Sequence, residues 1–250
     1  MLVVGGTSVA LLTQIDGPRA LPGFWGPFPN ALIEGRWLVE GGQVSVDSVL
    51  DWLAGRLFGL DAAGHHALIA EAARLAPQET GLMVLDYWMG NRTPYRDAGL
   101  RGAVLGLTLG HGRAEIYRAA VDALALGTVN VVRSLKRRGV AIERIVMSGG
   151  ICHNPLWLKA SVDALARPVA LVRTENLSLV GAAVSAACAL GFYPDLAVAS
   201  RQLAAKAEMV AMPDESRAAW YAAALDRYDA LTGLLAPALN RLSGEDGPEP

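Results

Sequence analysis

The chain carries only two cysteines in 250 residues, Cys152 and Cys188. That is too few for a disulfide framework, so a reducing, cytoplasmic setting is expected. Charge is also scarce. Charged residues make up 18% of the chain, and 22 Lys plus Arg stand against 24 Asp plus Glu, a net charge of -2. The basic surplus of a general nucleic-acid binder is absent. A long, strongly apolar run is absent too. Residues 177–194 are uncharged but rich in Ala, Gly and Ser, and a membrane span takes roughly 20 strongly apolar residues. The apolar opening, residues 1–12, has no Lys or Arg before it and is interrupted by Gly5-Gly6-Thr7-Ser8. It does not read as a secretory signal. Common catalytic signatures are missing: no P-loop, G-x-G-x-x-G, H-E-x-x-H, C-x-x-C or G-x-S-x-G occurs. The four histidines, His65, His66, His111 and His153, have no metal-ligand spacing and read as solvated or core residues. No metal site is expected within the chain.

The residues present are 52% hydrophobic, which excludes a disordered protein. Hydrophobic periodicity predicts a strand over 2–14, broken at the Gly5-Gly6-Thr7-Ser8 turn. An ordered loop over 17–29 follows, carrying Phe24, Trp25 and Phe28. Strands are expected over 33–39, 82–87, 103–109, 142–147 and 169–172. Helices are expected over 44–58, 65–75, 114–138, 154–166, 178–190, 196–207 and 214–235. The helix over 114–138 ends in Lys136, Arg137 and Arg138 before Gly139, cations that suit the negative end of the helix dipole. This mixture indicates an α/β layered domain with helices covering a sheet. No composition break divides it, so residues 1–242 form one domain and 243–250 a flexible tail.

Two turns carry chemistry. Ser148-Gly149-Gly150 ends a strand, and Asn154-Pro155 then opens a helix, with Asn a good N-cap and Pro suited to the first helical position. Backbone N–H groups at such a junction can meet a nucleotide, and the glycines allow close approach. A plain β–α turn fits the same residues. Gly5-Gly6-Thr7-Ser8 is a second glycine–hydroxyl turn. It fits a phosphate-holding loop or an ordinary hairpin turn equally well.

With these residues assembled, the chain resembles the C-terminal half of the FGGY carbohydrate kinases, from Gly6 to about Leu235. Gly6-Thr7-Ser8 is similar to the family's second phosphate loop. Glu40-Gly41-Gly42-Gln43 followed by Leu50-Asp51-Trp52 is similar to the helix entry. Leu85-Asp86-Tyr87-Trp88-Met89-Gly90-Asn91-Arg92-Thr93-Pro94 is similar to the G-N-R segment of the ribulokinase-like branch. Ser148-Gly149-Gly150 with Asn154-Pro155-Leu156-Trp157 is similar to the adenosine motif, and Gly181-Ala182-Ala183 to the helix after it. The resemblance implies an actin-like ATPase (ribonuclease H-like) domain, a mixed sheet covered by helices. It implies ATP as phosphoryl donor, with Mg²⁺ held mainly through the nucleotide. Thr7, beside Gly6 and Ser8, would touch the β- or γ-phosphate. Gly149, Gly150 and Asn154 would line the adenosine pocket, and Asp51 would make a polar nucleotide contact. Trp25-Gly26-Pro27 and the G-N-R segment point to a pentulose substrate by the same resemblance.

Three departures accompany the resemblance. The family's catalytic Asp precedes the Gly-Thr-Ser loop by more than the five residues available here. The sugar-binding wall belongs to the family's N-terminal half. Asp47 stands where the family has Gly, and Asp122 stands where it has Glu. The expectation is one ATP-binding lobe of a kinase, incomplete for catalysis alone. A split kinase with its N-terminal lobe on a separate chain, and a non-catalytic binding module, are the alternatives.

Overall fold

The computed structural model describes residues 1–172, 176–204, 206–207 and 209–244. β1 (Leu2–Gly5) and β2 (Val9–Ile15) form an antiparallel hairpin. β2 alternates buried and half-buried residues along its length, the period-2 pattern of a strand with one face in the core. β3 (Trp25–Pro29) and β4 (Trp37–Gln43) continue the sheet outward. α1 (Asp47–Asp51) runs into a π-helical turn over Trp52–Leu57, and α2 (Ala62–Ala72) follows, capped by the Asp61 side chain. β5 (Met83–Leu85) and β6 (Ala103–Leu105) pair as a separate two-stranded sheet. α3 (Arg113–Arg137) is the long central helix. β7 (Ile145–Gly149), α4 (Pro155–Leu165) and β8 (Val169–Val172) form a right-sized strand–helix–strand unit. α5 (Leu177–Ala189), α6 (Leu196–Leu203), β9 (Met209–Ala211) and α7 (Glu215–Ser243) complete the chain.

The main sheet has the order β3-β4-β2-β1-β7-β8-β9. β1, β7 and β8 are mutually parallel, and the other pairings are antiparallel. This is the expected mixed sheet covered by helices. Val3, Val9, Leu11, Val39, Met147 and Leu171 supply the sheet's share of one continuous core, and Leu124, Leu126, Trp157 and Tyr221 supply the helices' share. α3 packs against α2, α4 and α7, and the β5–β6 hairpin lies against α3 and α7. Among the described residues no helix is long and apolar enough to cross a membrane.

Several element boundaries differ from the sequence reading. The 17–29 loop contains β3, an edge strand paired to β4 through Phe28–Leu38 and Trp25–Glu40. Its prolines mask the strand pattern, yet an edge tolerates them because one side of the backbone needs no partner. The strand expected over 33–39 starts at Trp37 and runs on through Glu40-Gly41-Gly42-Gln43, the stretch read as a helix entry. Full pairing with β2 holds it extended, and a Cβ on Gly42 would sit 2.6 Å from the Val9 carbonyl oxygen. The helix expected over 44–58 starts at Asp47 and widens into the π-helical turn. The strands expected over 82–87 and 103–109 shrink to three residues each. The helix expected over 196–207 stops at Leu203, and the unforeseen β9 follows, held by antiparallel pairing to β8. The last helix continues past the expected 235 to Ser243, through Pro237. Its packing against the core compensates for the backbone bond that proline removes. Ser243, expected in the tail, belongs to this helix, and residues 245–250 of that expected tail lie outside the described residues.

Candidate nucleotide site

Parallel pairing of β1 with β7 sets Gly5 in register with Gly149. Both strands therefore end at one edge of the sheet, and their glycine turns leave side by side. The first turn is tight: the Gly6 N–H donates to the Ser8 carbonyl (2.9 Å), while Thr7 and Ser8 are exposed. The start of α1 is stitched to this turn. The Val46 N–H donates to the Thr7 carbonyl (2.9 Å), the Asp47 N–H to the Gly6 carbonyl (3.2 Å) and the Ser48 hydroxyl to the Thr7 carbonyl (3.3 Å).

The second turn is shaped by contact with the first. Gly149 has φ 88° and ψ -160°, a conformation open essentially to glycine alone. A Cβ there would lie 2.5 Å from the Gly5 carbonyl oxygen. A 3₁₀ turn over Gly150–Cys152 leads to Asn154, whose Oδ1 accepts from the Trp157 N–H (3.1 Å) with Pro155 at the first helical position. The cap read from the sequence is present. Beneath the turns, the fully buried Trp157 ring comes close enough to Gly5 that a Cβ there would meet it at 2.9 Å. The Ser148 hydroxyl donates to the Val172 carbonyl (2.8 Å), tying β7 to β8 just below the turn.

Polar residues surround this edge. Asp47 Oδ2 lies 3.6 Å from the position of a Cβ on Gly150. Burial, then the neighbouring Asp51, push the Asp47 carboxyl up, and His65 pulls it down. Asp51 stands one turn further along, mostly in solvent, with its Oδ1 3.7 Å from His65 Nδ1. His65 Nε2 and the Tyr117 hydroxyl share a hydrogen bond of 2.8 Å, their rings edge to face. Burial holds the Tyr117 hydroxyl well above the ordinary tyrosine range, and the neighbouring Asn154 side chain pulls it down. A series thus runs from Asp51 through His65 to Tyr117, with the Asn154 side chain nearby.

The fold brings together Gly6, Thr7, Ser8, Gly149 and Gly150 at one edge, with Asn154 behind them. Asp51 stands apart from them in solvent, its carboxylate beside His65, which in turn bonds Tyr117. Asp47 is the carboxylate beside the glycines. Sequence reading missed His65 and Tyr117, which lie 52 residues apart on different helices and carry no shared motif. His111 fills a structural role, its Nδ1 accepting from the Thr108 N–H (2.9 Å) and its Nε2 meeting the Thr80 carbonyl (2.8 Å). Trp25, from the Trp-Gly-Pro segment, lies under the Arg92 and Arg96 guanidinium groups at 5.4 and 5.8 Å. A cleft of about 810 Å³ opens at the other end of β1 and β2, between Leu2, Ile15, Asp16 and Arg144, and shares no residue with the glycine turns. Among the described residues no group of three or more His, Cys, Asp or Glu side chains could hold a metal ion.

The family model described as the FGGY family of carbohydrate kinases, C-terminal domain, matches residues 1–190. An FGGY carbohydrate kinase domain-containing protein from Xenopus laevis is 30% identical over 222 residues, 81% of this chain and 40% of its own length. A ribulokinase from Mycolicibacterium smegmatis is 29% identical over 242 residues, 92% of this chain and 43% of its own. The crystal structure of a xylulose kinase from Rhodospirillum rubrum superposes with a TM-score of 0.82 at 28% identity, covering 95% of this chain and 47% of that one. The chain thus spans less than half the length of these relatives.

Proposed function

The chain belongs to the FGGY family of carbohydrate kinases, and on that premise we propose that it is the ATP-binding lobe of a kinase that transfers a phosphoryl group from ATP to a pentulose hydroxyl. The observation that carries the reading is the register of Gly5 with Gly149, which sets two glycine turns side by side at one sheet edge. In this reading the exposed Thr7 and Ser8 hydroxyls and their backbone meet the phosphates. Gly149 and Gly150 let the adenosine lie against the backbone, and Asn154, already fixed as a cap, lines its pocket. Asp51, mostly in solvent beside His65, offers the polar nucleotide contact.

Phosphoryl transfer depends mostly on positioning and on stabilising charge on the moving group. These turns would supply the positioning. Magnesium, which the resemblance implies, would be held mainly through the nucleotide phosphates. The catalytic base and sugar wall belong, on the resemblance, to the part of the relatives that this chain does not match. A ribulokinase and a xylulose kinase among the relatives support a pentulose as acceptor. The work is cytoplasmic in this reading.

Calorimetry on the 250-residue chain tests the proposal. ATP binds, and Asn154→Ala abolishes the binding. No heat of binding for ATP or adenosine refutes the nucleotide site. Robust sugar-dependent ADP production by the chain alone refutes its assignment as a single, incomplete lobe. Co-purification with a chain carrying the remaining kinase lobe identifies a split enzyme.

A further inference from the structure

We propose that Asp47 makes this nucleotide site selective for ligand charge, weakening each ligand in proportion to the negative charge it brings to the glycine turns. The inference rests on the nucleotide reading above.

Asp47 is fixed at the start of α1 by its own N–H, which donates to the Gly6 carbonyl (3.2 Å). The backbone of the first turn therefore holds this side chain against the second. Its Oδ2 lies 3.6 Å from where a Cβ on Gly150 would be, in the space between the two turns. Among the described residues the Asp47 carboxylate makes no hydrogen bond or ion pair. His65, the imidazole whose field reaches Asp47, has its Nδ1 towards Asp51 and its Nε2 on Tyr117. Asp47 is half-buried, and the imidazole nearest it is engaged by other groups.

A phosphate brought to the Gly6-Thr7-Ser8 turn meets that carboxylate at close range. Like charges a few ångströms apart, partly out of water, repel appreciably. An adenosine without phosphates brings no charge there and is not penalised. The same residue explains how a site can keep its nucleoside contacts and still discriminate among phosphorylated states.

The test is a ligand series of adenosine, ADP and ATP, all in EDTA, titrated by calorimetry into the wild-type chain and into Asp47→Asn. The expected result is that the substitution tightens metal-free ATP by about tenfold, the scale of one partly screened like-charge contact. ADP tightens by less and adenosine stays unchanged. With magnesium present the ATP difference between the two proteins shrinks. Asp47→Ser carries the same expectation, and thermal unfolding of both variants checks that they fold. Equal ATP affinity in wild type and variants, with adenosine bound by all, overturns this inference and leaves the nucleotide reading standing. Adenosine and ATP bound by none of them overturns both.

Discussion

Replacing Gly149 by alanine tests the close approach of the two strands that build the site. Gly149 sits at φ 88° and ψ -160°, a region that costs a non-glycine residue about 1–3 kcal/mol. The new methyl would also lie 2.5 Å from the Gly5 carbonyl oxygen, far inside van der Waals contact. Relieving that overlap means moving β1 from β7 where they are in register, for about 1–3 kcal/mol more. Together the two effects cost about 2–6 kcal/mol, a large part of the usual stability of a domain. For a domain of this size the melting temperature falls by about 5–20 °C. Gly150→Ala is the internal control. Its methyl would lie 3.3 Å from the same oxygen and 3.6 Å from Asp47 Oδ2, and its backbone is not left-handed. It costs less than about 1 kcal/mol yet narrows the gap between the turns, so it weakens ATP binding while melting near wild type. Urea and thermal unfolding of both, with ATP calorimetry on Gly150→Ala, decide the matter. A wild-type midpoint for Gly149→Ala refutes the argument, as does equal destabilisation by the two substitutions.

Other consequences follow from the interior and the turn. Arg118 is buried, with its Nε donating to both oxygens of Asp122 (3.1 and 3.0 Å), so Asp122→Ala strands a buried cation and costs about 3–5 kcal/mol by urea unfolding; a cost under 1 kcal/mol (about the value of an exposed pair) contradicts that burial. Asp86 accepts from Gln43 Nε2 (2.8 Å) and the Tyr228 hydroxyl, and its burial raises its carboxyl, an effect those bonds only partly offset. The folded state therefore binds its proton more tightly than the unfolded chain does. Asp86 thus makes stability fall as pH rises from the ordinary carboxylate range to its raised value. Asp86→Asn removes that slope, whatever its constant offset, and an unchanged pH profile of unfolding contradicts the direction. Thr7→Ala, at an exposed turn position, leaves stability within about 0.5 kcal/mol and weakens ATP binding; unaltered ATP affinity removes Thr7 from the site.

Much of the site was legible because its parts are local. Asn154-Pro155 announces a cap and a helix start within two residues, and the Asn154 side chain does cap the Trp157 N–H. α3 was readable to within a residue at each end, since its length and buried face repeat one period many times. β3 and β9 were not readable. Each is three to five residues long and is a strand only because a neighbour, β4 or β8, offers its backbone. The link from Asp51 through His65 and Tyr117 was hidden for a similar reason, being assembled by the packing of α2 on α3.

The sequence by itself determined the family resemblance, the α/β class and the two glycine turns. These rest on short-range chemistry: periodicity, capping, and the freedom of glycine where other residues clash. Only the tertiary structure decided that the turns stand side by side at one edge of the sheet. Gly5 and Gly149 are 144 positions apart along the chain, and parallel pairing of their strands alone sets them in register. It also decided which carboxylate faces that edge. Asp47 and Asp51 share a helix, but the hydrogen bond from the Asp47 N–H to the Gly6 carbonyl turns the first towards the glycines and leaves the second in solvent.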